Sequence, residues 1–495
     1  MTNQEQVIAE IAREVVARLR AQMQQPQTAS APAVIPVSVP TSTPTHMSAG
    51  NSVAAHDGVF LTVDEAVNAA AVAQKKVQEM SLEERGHMIS IVRRICIDRC
   101  EELGRMEMEE TKVGRLDHKI VKLTNMRLVL GVEALSTEAR SNQSGMCIIE
   151  HAPWGVIGMM LPVTHSVPTM ASNAINIVAA GNTAVFGPHP SGAKVAQYAL
   201  QLWNREIEKE LGVANVFTTT NNATIEAAEQ IFNHPKIALI CVTGGAAVAK
   251  AAAKSGKRVI AGGPGNPPVV VDETAELDRA AASIIEGAAF DNNLLCIGEK
   301  EIFVVASVAN PFKEAMRRAG AYELDAAAIE RLAQAAFTFE GRGKGCGRAH
   351  VNKAFVGKDI AVLAAAAGVS VPANTKLLFG ETNEDHPFVV EEQMMPFIPM
   401  VRVRDVDAAI AAAVKAEHGY RHTAIIHTQN LETATRMARV MNTTLFILNA
   451  PSSKSLSHPG YFSHTIATPT GEGVTTPLTF TRQRQMMVGD ALRII

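Results

Sequence analysis

Between residues 146 and 272 the chain repeats one pattern: a short apolar run closes in proline or glycine, and a helical stretch follows. The apolar runs are "MCIIEHAPWGVIGMML", "NTAVFGP", "KIALICVTGG" and "RVIAGGPGNPPVVVD"; between or after them come "PTMASNAINIVAAG", "SGAKVAQYALQLWNREI" and "AAVAKAAAK". Consecutive strands joined by helices pair in parallel, so the alternation predicts a doubly wound α/β sheet of buried strands. A second alternating block predicts a helix over 276–289, a strand over 301–306, helices over 311–318 and 325–336, strands near 353–356 and 376–379, a strand over 398–403, a helix over 406–415 and a strand over 422–427. Ahead of both blocks, from about Asp57, the chain is helical, and Ser81 and Glu84 are spaced as a capping box. The tail segments "NTTLFILNAP" and "PLTFTRQRQMMVG" read as strands that pair across a subunit interface.

Composition removes several function classes. A chain of 495 residues suits two or three domains. A formal net charge of -3 gives no footprint for a phosphate backbone, and 4% aromatic residues leave little for base stacking, so no nucleic-acid partner is expected. No apolar run reaches the ~18 residues of a membrane helix, and "MTNQEQVIAEIAREV" lacks the apolar core of a secretory signal, so no membrane role is expected. Six cysteines without framework spacing predict free thiols in a reducing cytosol. Cys96 and Cys100, four apart in "RRICIDRC", read as a buried helix face, because no second ligand pair follows.

The first residues form a separate unit. In 5–23, Ile8, Ile11, Ala12, Val15, Leu19 and Met23 make one apolar stripe at helical spacing. Residues 24–56 are rich in Pro, Ser, Thr and Ala and read as a disordered linker. A lone helix this short is marginal in water, so residues 1–23 are expected to dock on a partner; the alternative is packing against the chain's own body.

Three glycine turns leave predicted strands: "VFGPHPSG" (185–192), "CVTGG" (241–245) and "AGGPGNPPVVVD" (261–272). Glycine lets the backbone approach a ligand, and a helix start offers free N–H groups to a pyrophosphate. None is the GxGxxG of ordinary dinucleotide folds, and alone each is also a plain tight turn. Together, at the carboxyl ends of parallel strands, they point to a nucleotide. The stretch "FDNNLLCIGEKE" (290–301) then poses a question, whether Cys296 is a small buried hydrophobe or a nucleophile held at a turn.

The ordered set "VAAGNTAVFGPHPSG", "VTGG", "GGPGNPP", "FDNNLLCIGEKE" and "EEQMMP" resembles the aldehyde dehydrogenase superfamily, and within it the CoA-acylating branch. The likeness spans about 57–495 and is closest to the propionaldehyde and acetaldehyde dehydrogenases of bacterial microcompartments. It implies an aldehyde-dehydrogenase-like α/β fold: a Rossmann-type NAD-binding domain (57–262), a catalytic α/β domain (263–445) and a C-terminal oligomerisation segment (446–495). It implies NAD as cofactor, an aldehyde and coenzyme A as substrates, a homodimer or homotetramer, and a place in the microcompartment lumen within the cytoplasm. Residues 1–23 then look like an encapsulation peptide that addresses a shell protein or another packaged enzyme.

The same resemblance makes Cys296 the nucleophile that carries the acyl group as a thioester. It puts the cofactor against Pro162, Gly187, Pro188, His189, Gly244, Gly245, Gly262 and Glu392, the last on the nicotinamide ribose. Three departures matter. Hydrolytic relatives activate water with a glutamate in a Glu-Leu-Gly-Gly turn, where this chain has Ile260 or Ala261, which argues for acyl-CoA as product. Their oxyanion asparagine in a Pro-Trp-Asn turn aligns with Thr164, with His165 beside it. Gly187 stands where many carry a lysine on the adenosine ribose, which favours NAD over NADP. Cys96, Cys100, Cys147 and Cys241 read as core. Cys346, among three basic residues and four glycines in "EGRGKGCGRAH", reads as lying in a solvated loop or a phosphate-binding one.

Overall fold

Strand Val156–Met160 is apolar and buried along its length, and it forms the centre of a six-stranded parallel sheet. Thr183–Gly187 and then Phe217–Thr220 lie to one side of it; Ile237–Thr243 and then Arg258–Gly262 lie to the other. The short strand Val59–Phe60 extends the first side. The order therefore reverses at Val156–Met160, and in open α/β sheets the carboxyl ends of the strands at such a reversal are where ligands bind. These are features of a computed structural model that describes residues 57–340, 348–456 and 462–495. The N-terminal stripe, the linker and Cys346 lie outside the described residues.

A second parallel sheet has seven strands, in the order Ala321–Glu323, Leu377–Thr382, Phe397–Val403, Glu301–Val305, Pro268–Val271, Thr423–His427 and Leu445–Leu448. Only the loop 263–267 separates Arg258–Gly262, the last strand of the first sheet, from Pro268–Val271, the first strand of the second in chain order, so the glycine turn "GGPGN" joins the two. Helices cover both sheets. Val63–Val77 and Leu82–Asp98 each begin at a capping box, Thr62 with Glu65 and Ser81 with Glu84. A third, antiparallel sheet joins Glu138–Asn142, Gly145–Pro153 and Thr481–Gly489.

Several sequence expectations change. "MCIIEHAPWGVIGMML" is two strands in two sheets, Gly145–Pro153 and Val156–Met160. Gly155, at φ 123°, makes the turn between them in a conformation other residues avoid. Cys147 consequently sits half-buried on the antiparallel sheet, opposite Arg140 and Met487, rather than in the core. "NTTLFILNAP" forms the edge strand Leu445–Leu448 of the seven-stranded sheet, and Thr481–Gly489 is the edge of the antiparallel sheet beside Gly145–Pro153, so each pairs along one side within its own chain. No strand forms over 353–356; the Asn352 carbonyl and side chain instead cap a turn there, and the strand is Arg348–Val351. The helix expected from 311 begins at Ala306, with Pro311 inside it. Among the described residues no helix is long and apolar enough to cross a membrane.

Candidate active site

Seven of the eight predicted cofactor residues gather at the carboxyl ends of the strands of the six-stranded sheet, and the eighth, Glu392, follows helix Pro387–Val390 in the other half. Met160 is in register with Gly187 and Val242, and Thr243 with Gly262. Pro188 follows the Gly187 strand end directly and Pro162 lies two residues beyond Met160, where the intervening Leu161 N–H donates to the Gly187 carbonyl at 3.0 Å. His189 takes the Ser191 N–H on Nδ1 at 3.1 Å and starts the turn Pro190–Gly192. Gly245 precedes helix Ala246–Ala253, whose first turn has no side-chain cap, and nothing lies within 4 Å of where a Cβ on Gly244 or Gly245 would stand. Open backbone N–H groups at a helix start suit a pyrophosphate. The donor set and its placement thus fit a dinucleotide.

The nucleophile candidate follows helix Leu277–Ala289. The chain leaves that helix through Phe290–Asn293, where Asp291, Asn292 and Asn293 take φ of 49°, 55° and 64° in succession. Asn and Asp tolerate this left-handed region better than other residues with a Cβ, yet three in a row persist only if the surroundings hold them. Each side chain is held from a different direction. Asp291 accepts from Arg115 N–H at 2.7 Å and from Lys122 Nζ at 2.5 Å. Asn292 donates to the Gly357 carbonyl and to Asp359. Asn293 donates to the carbonyls of Ala288 and Glu299, and its own carbonyl and side-chain oxygen accept from Lys300 Nζ. Lys300 also reaches the Leu295 carbonyl at 3.2 Å, so one buried ammonium ties the turn from beneath.

Cys296 packs against the apolar core of the six-stranded half, and its residue surface is only part-buried. Its thiol is more enclosed than that surface suggests. Burial, reinforced by the nearby Glu392 carboxylate and opposed by Lys300, pushes it up to about 12. Burial likewise raises Glu392 to about 7 against the pull of Lys300, and burial lowers Lys300. Burial therefore keeps the resting thiol protonated, beside Glu392 and Lys300, whose charged forms burial disfavours as well.

Gly265 forms the other wall. A Cβ there would sit 2.5 Å from the Cys296 carbonyl and 3.0 Å from Cγ of His422. His422 is buried and binds Thr423 Oγ1 at 2.8 Å; its Nε2 has no hydrogen-bond partner among the described residues, and burial holds the ring down to about 4. No reading of the sequence singled out this imidazole; its signal was its place in "EHGYRHTAIIHT", just before a buried strand. Ile260 and Ala261 are both buried in strand Arg258–Gly262, and the turn after it carries no carboxylate.

Thr164 and His165 enter the helix Ser166–Ala179. Burial keeps His165 well below its ordinary value, so it is neutral at pH 7, and it lies 5.5 Å from the ring of His464, which burial lowers to about 3. The Thr164 carbonyl is 3.5 Å from Lys122 Nζ. Lys122, Lys119, Glu107 and Asp291 form a buried charge cluster that the sequence reading did not identify. Cys241 and Cys96 lie in the core, where burial raises their thiols. Among the described residues no group of His, Cys, Asp and Glu could hold a metal.

Comparison with known proteins places this geometry. The model of the aldehyde dehydrogenase family matches residues 39–327. The acetylating acetaldehyde dehydrogenase of Salmonella typhimurium is 43% identical over 443 residues, which is 88% of this chain and 94% of the relative. Two solved structures superpose with a TM-score of 0.85. One is a propionaldehyde dehydrogenase from the fucose utilisation bacterial microcompartment of Clostridium phytofermentans, 38% identical, covering 88% of this chain and 100% of the other. The other is the propionaldehyde dehydrogenase of Rhodopseudomonas palustris with bound CoA and an acylated cysteine, 39% identical, covering 89% and 100%.

Proposed function

Because this chain belongs to the aldehyde dehydrogenase family, we propose that it is a CoA-acylating, NAD-dependent oxidoreductase that converts a short-chain aldehyde, propionaldehyde by preference, reversibly to acyl-CoA. The observation that carries the proposal is the end of strand Arg258–Gly262 together with the turn after it, neither of which carries a carboxylate. Where a hydrolytic enzyme needs a carboxylate to activate water, Ile260 and Ala261 are buried and apolar. A thioester formed on Cys296 then outlasts encounters with water and waits for a thiol, which ionises far more easily.

In this reading the Cys296 thiol gives its proton to the neighbouring Glu392 carboxylate, the thiolate attacks the aldehyde carbon, and the backbone N–H of Cys296 donates to the oxyanion, with the Thr164 turn as the other side of that pocket. Pro162, Gly187, Pro188, His189, Gly244, Gly245, Gly262 and Glu392 would hold NAD. When bound, the oxidised nicotinamide brings positive charge into the cleft and accepts the hydride. Glu392 would pair with the nicotinamide ribose of a bound NAD, and a protonated or ribose-bound Glu392 would no longer stand as a negative neighbour of the thiol. Lys300 remains and favours the thiolate. On loss of hydride the tetrahedral adduct on Cys296 sulfur collapses to the thioester, and CoA then enters the same cleft. Its sulfur attacks the acyl carbon and Cys296 leaves as thiolate, with His422 Nε2 assigned to take the incoming thiol's proton. NAD is favoured over NADP because Gly187 offers no side chain to a ribose phosphate.

By likeness to the microcompartment relative, residues 1–23 are read as the address that carries the enzyme to a shell protein or packaged enzyme in the compartment lumen. The exposed Met486 and Met487 on the antiparallel sheet support a homodimer or homotetramer. The test is NADH formation from propionaldehyde with and without CoA, with the product identified. CoA-dependent propionyl-CoA is expected. Sustained free acid without CoA would establish the hydrolytic alternative, and no NADH at all would leave a silent cargo protein.

A further inference from the structure

Helix Leu116–Thr124 places two ammonium groups, Lys119 and Lys122, on one buried face, and their side chains are each 1% exposed. Lys119 pairs with Glu107 at 3.0 Å, and the other oxygen of Glu107 accepts the N–H of Val167, in the first turn of the helix that Thr164 and His165 enter. Lys122 pairs with Asp291, the first of the three left-handed residues that lead to Cys296, and lies 3.5 Å from the Thr164 carbonyl. Asp291 leaves no freedom of its own. Its second oxygen takes Arg115 N–H, its N–H donates to His118 Nδ1 at 2.7 Å, and a Cβ on Gly114 would stand 2.3 Å from its Oδ1. The ring of His118 stacks on Phe290 at 4.4 Å. One helix thus reaches both walls of the site: the turn that carries the nucleophile and the turn that faces the oxyanion.

We propose that Lys122 is a positioning residue for acyl transfer: through its buried pair with Asp291 it fixes the left-handed turn before Cys296 in register with the Thr164–His165 turn. This rests on the CoA-acylating reading above. The pair is suited to the task because a carboxylate accepts two donors on two oxygens, here Arg115 N–H and Lys122 Nζ, from a side chain that tolerates a positive φ. An asparagine can accept only on one side. Loss of the pair leaves the turn free to drift toward ordinary backbone angles, and a drift of about 1 Å at a reacting atom costs on the order of 10²-fold in rate.

The test uses the full-length enzyme in two variants. Lys122→Met with Asp291→Asn removes both charges together, so neither is stranded in the interior; Asp291→Asn alone keeps the lysine. For the double variant the expected result is a folded protein with NAD affinity and aldehyde KM within about threefold of wild type and kcat lower by on the order of 10²-fold. Asp291→Asn should fall between it and wild type. A second readout needs neither aldehyde nor CoA: the rate at which iodoacetamide alkylates the Cys296 peptide, followed by mass spectrometry, should change by at least about fivefold in the double variant. A role in stability alone predicts a lower Tm with kcat and Cys296 alkylation unchanged, and that result overturns the proposal. Should the double variant not fold, wild-type kcat and alkylation in Asp291→Asn overturn it equally. If wild-type enzyme forms no acyl-CoA, the acylating reading fails, and the alkylation rates still decide whether Lys122 positions the cysteine.

Discussion

Gly265→Ala isolates the contact between the two halves of the site. Gly265 is not among the residues with positive φ, so alanine meets no backbone penalty there and the effect is purely steric. The new Cβ would stand 2.5 Å from the Cys296 carbonyl and 3.0 Å from Cγ of His422. Relief to a tolerable contact needs a relative movement of about 0.7–1 Å, and a well-packed interior charges about 1–3 kcal/mol for such insertion. The obstruction faces backbone on one side and a buried ring on the other, so no flexible side chain can absorb it. Moving the Cys296 peptide also moves the N–H that serves the oxyanion, for which a displacement of about 1 Å costs on the order of 10²-fold in rate. The expected outcome is a folded enzyme with Tm lowered by a few degrees, since the shift per kcal/mol shrinks as chains lengthen. The single-turnover NADH burst should slow by on the order of 10²-fold, with NAD affinity altered far less. Stopped-flow absorbance with saturating NAD and propionaldehyde, without CoA, measures it. A burst within about threefold of wild type would show that Gly265 is not the wall of the catalytic turn.

Cys296→Ala should fold, bind NAD and show no turnover in either direction; aldehyde oxidation above trace would remove Cys296 as the nucleophile. Because burial and Glu392 push the resting thiol up to about 12, its alkylation in cofactor-free enzyme should rise roughly tenfold per unit between pH 8 and 10. Glu392→Gln, which removes the negative neighbour, should speed that alkylation while slowing NADH formation; a rate that is flat over this range would mean the thiol is already ionised. Glu301, fully buried with neither carboxylate oxygen hydrogen-bonded among the described residues, is raised well above its ordinary value by burial. A raised carboxylate stabilises the fold below its unfolded value and loses that contribution as pH rises through the folded one. Glu301→Gln should therefore raise Tm at pH 9 and change it little at pH 4, as read by thermal melts; equal shifts at both would refute the assignment. Deleting residues 1–23 should leave kcat and oligomeric state unchanged and abolish co-purification with shells, and full packaging of the truncated enzyme would mean the arm is not the address.

What the sequence determined by itself is local. The alternation of apolar runs with helices specified parallel sheets, because the period of a strand or helix and the glycine that ends it are written in neighbouring residues. The capping box at Ser81 and Glu84 and the strand ends at Gly187, Thr243 and Gly262 were legible for that reason. The motif around Cys296 was legible as a resemblance. Tertiary structure decided whatever depends on distant residues meeting. Lys122 and Asp291 are 169 positions apart, and nothing local distinguishes either from a solvated charge. The edge strand Leu445–Leu448 joined its own chain's sheet because the neighbouring Thr423–His427 edge was open to it, which no local pattern announces. The single apolar run 146–161 divided between two sheets at Gly155. The carboxylates and imidazoles of the centre, Glu301, Glu392 and His422, took their protonation from burial, and burial is a property of the packed interior that a sequence carries only through the fold it makes.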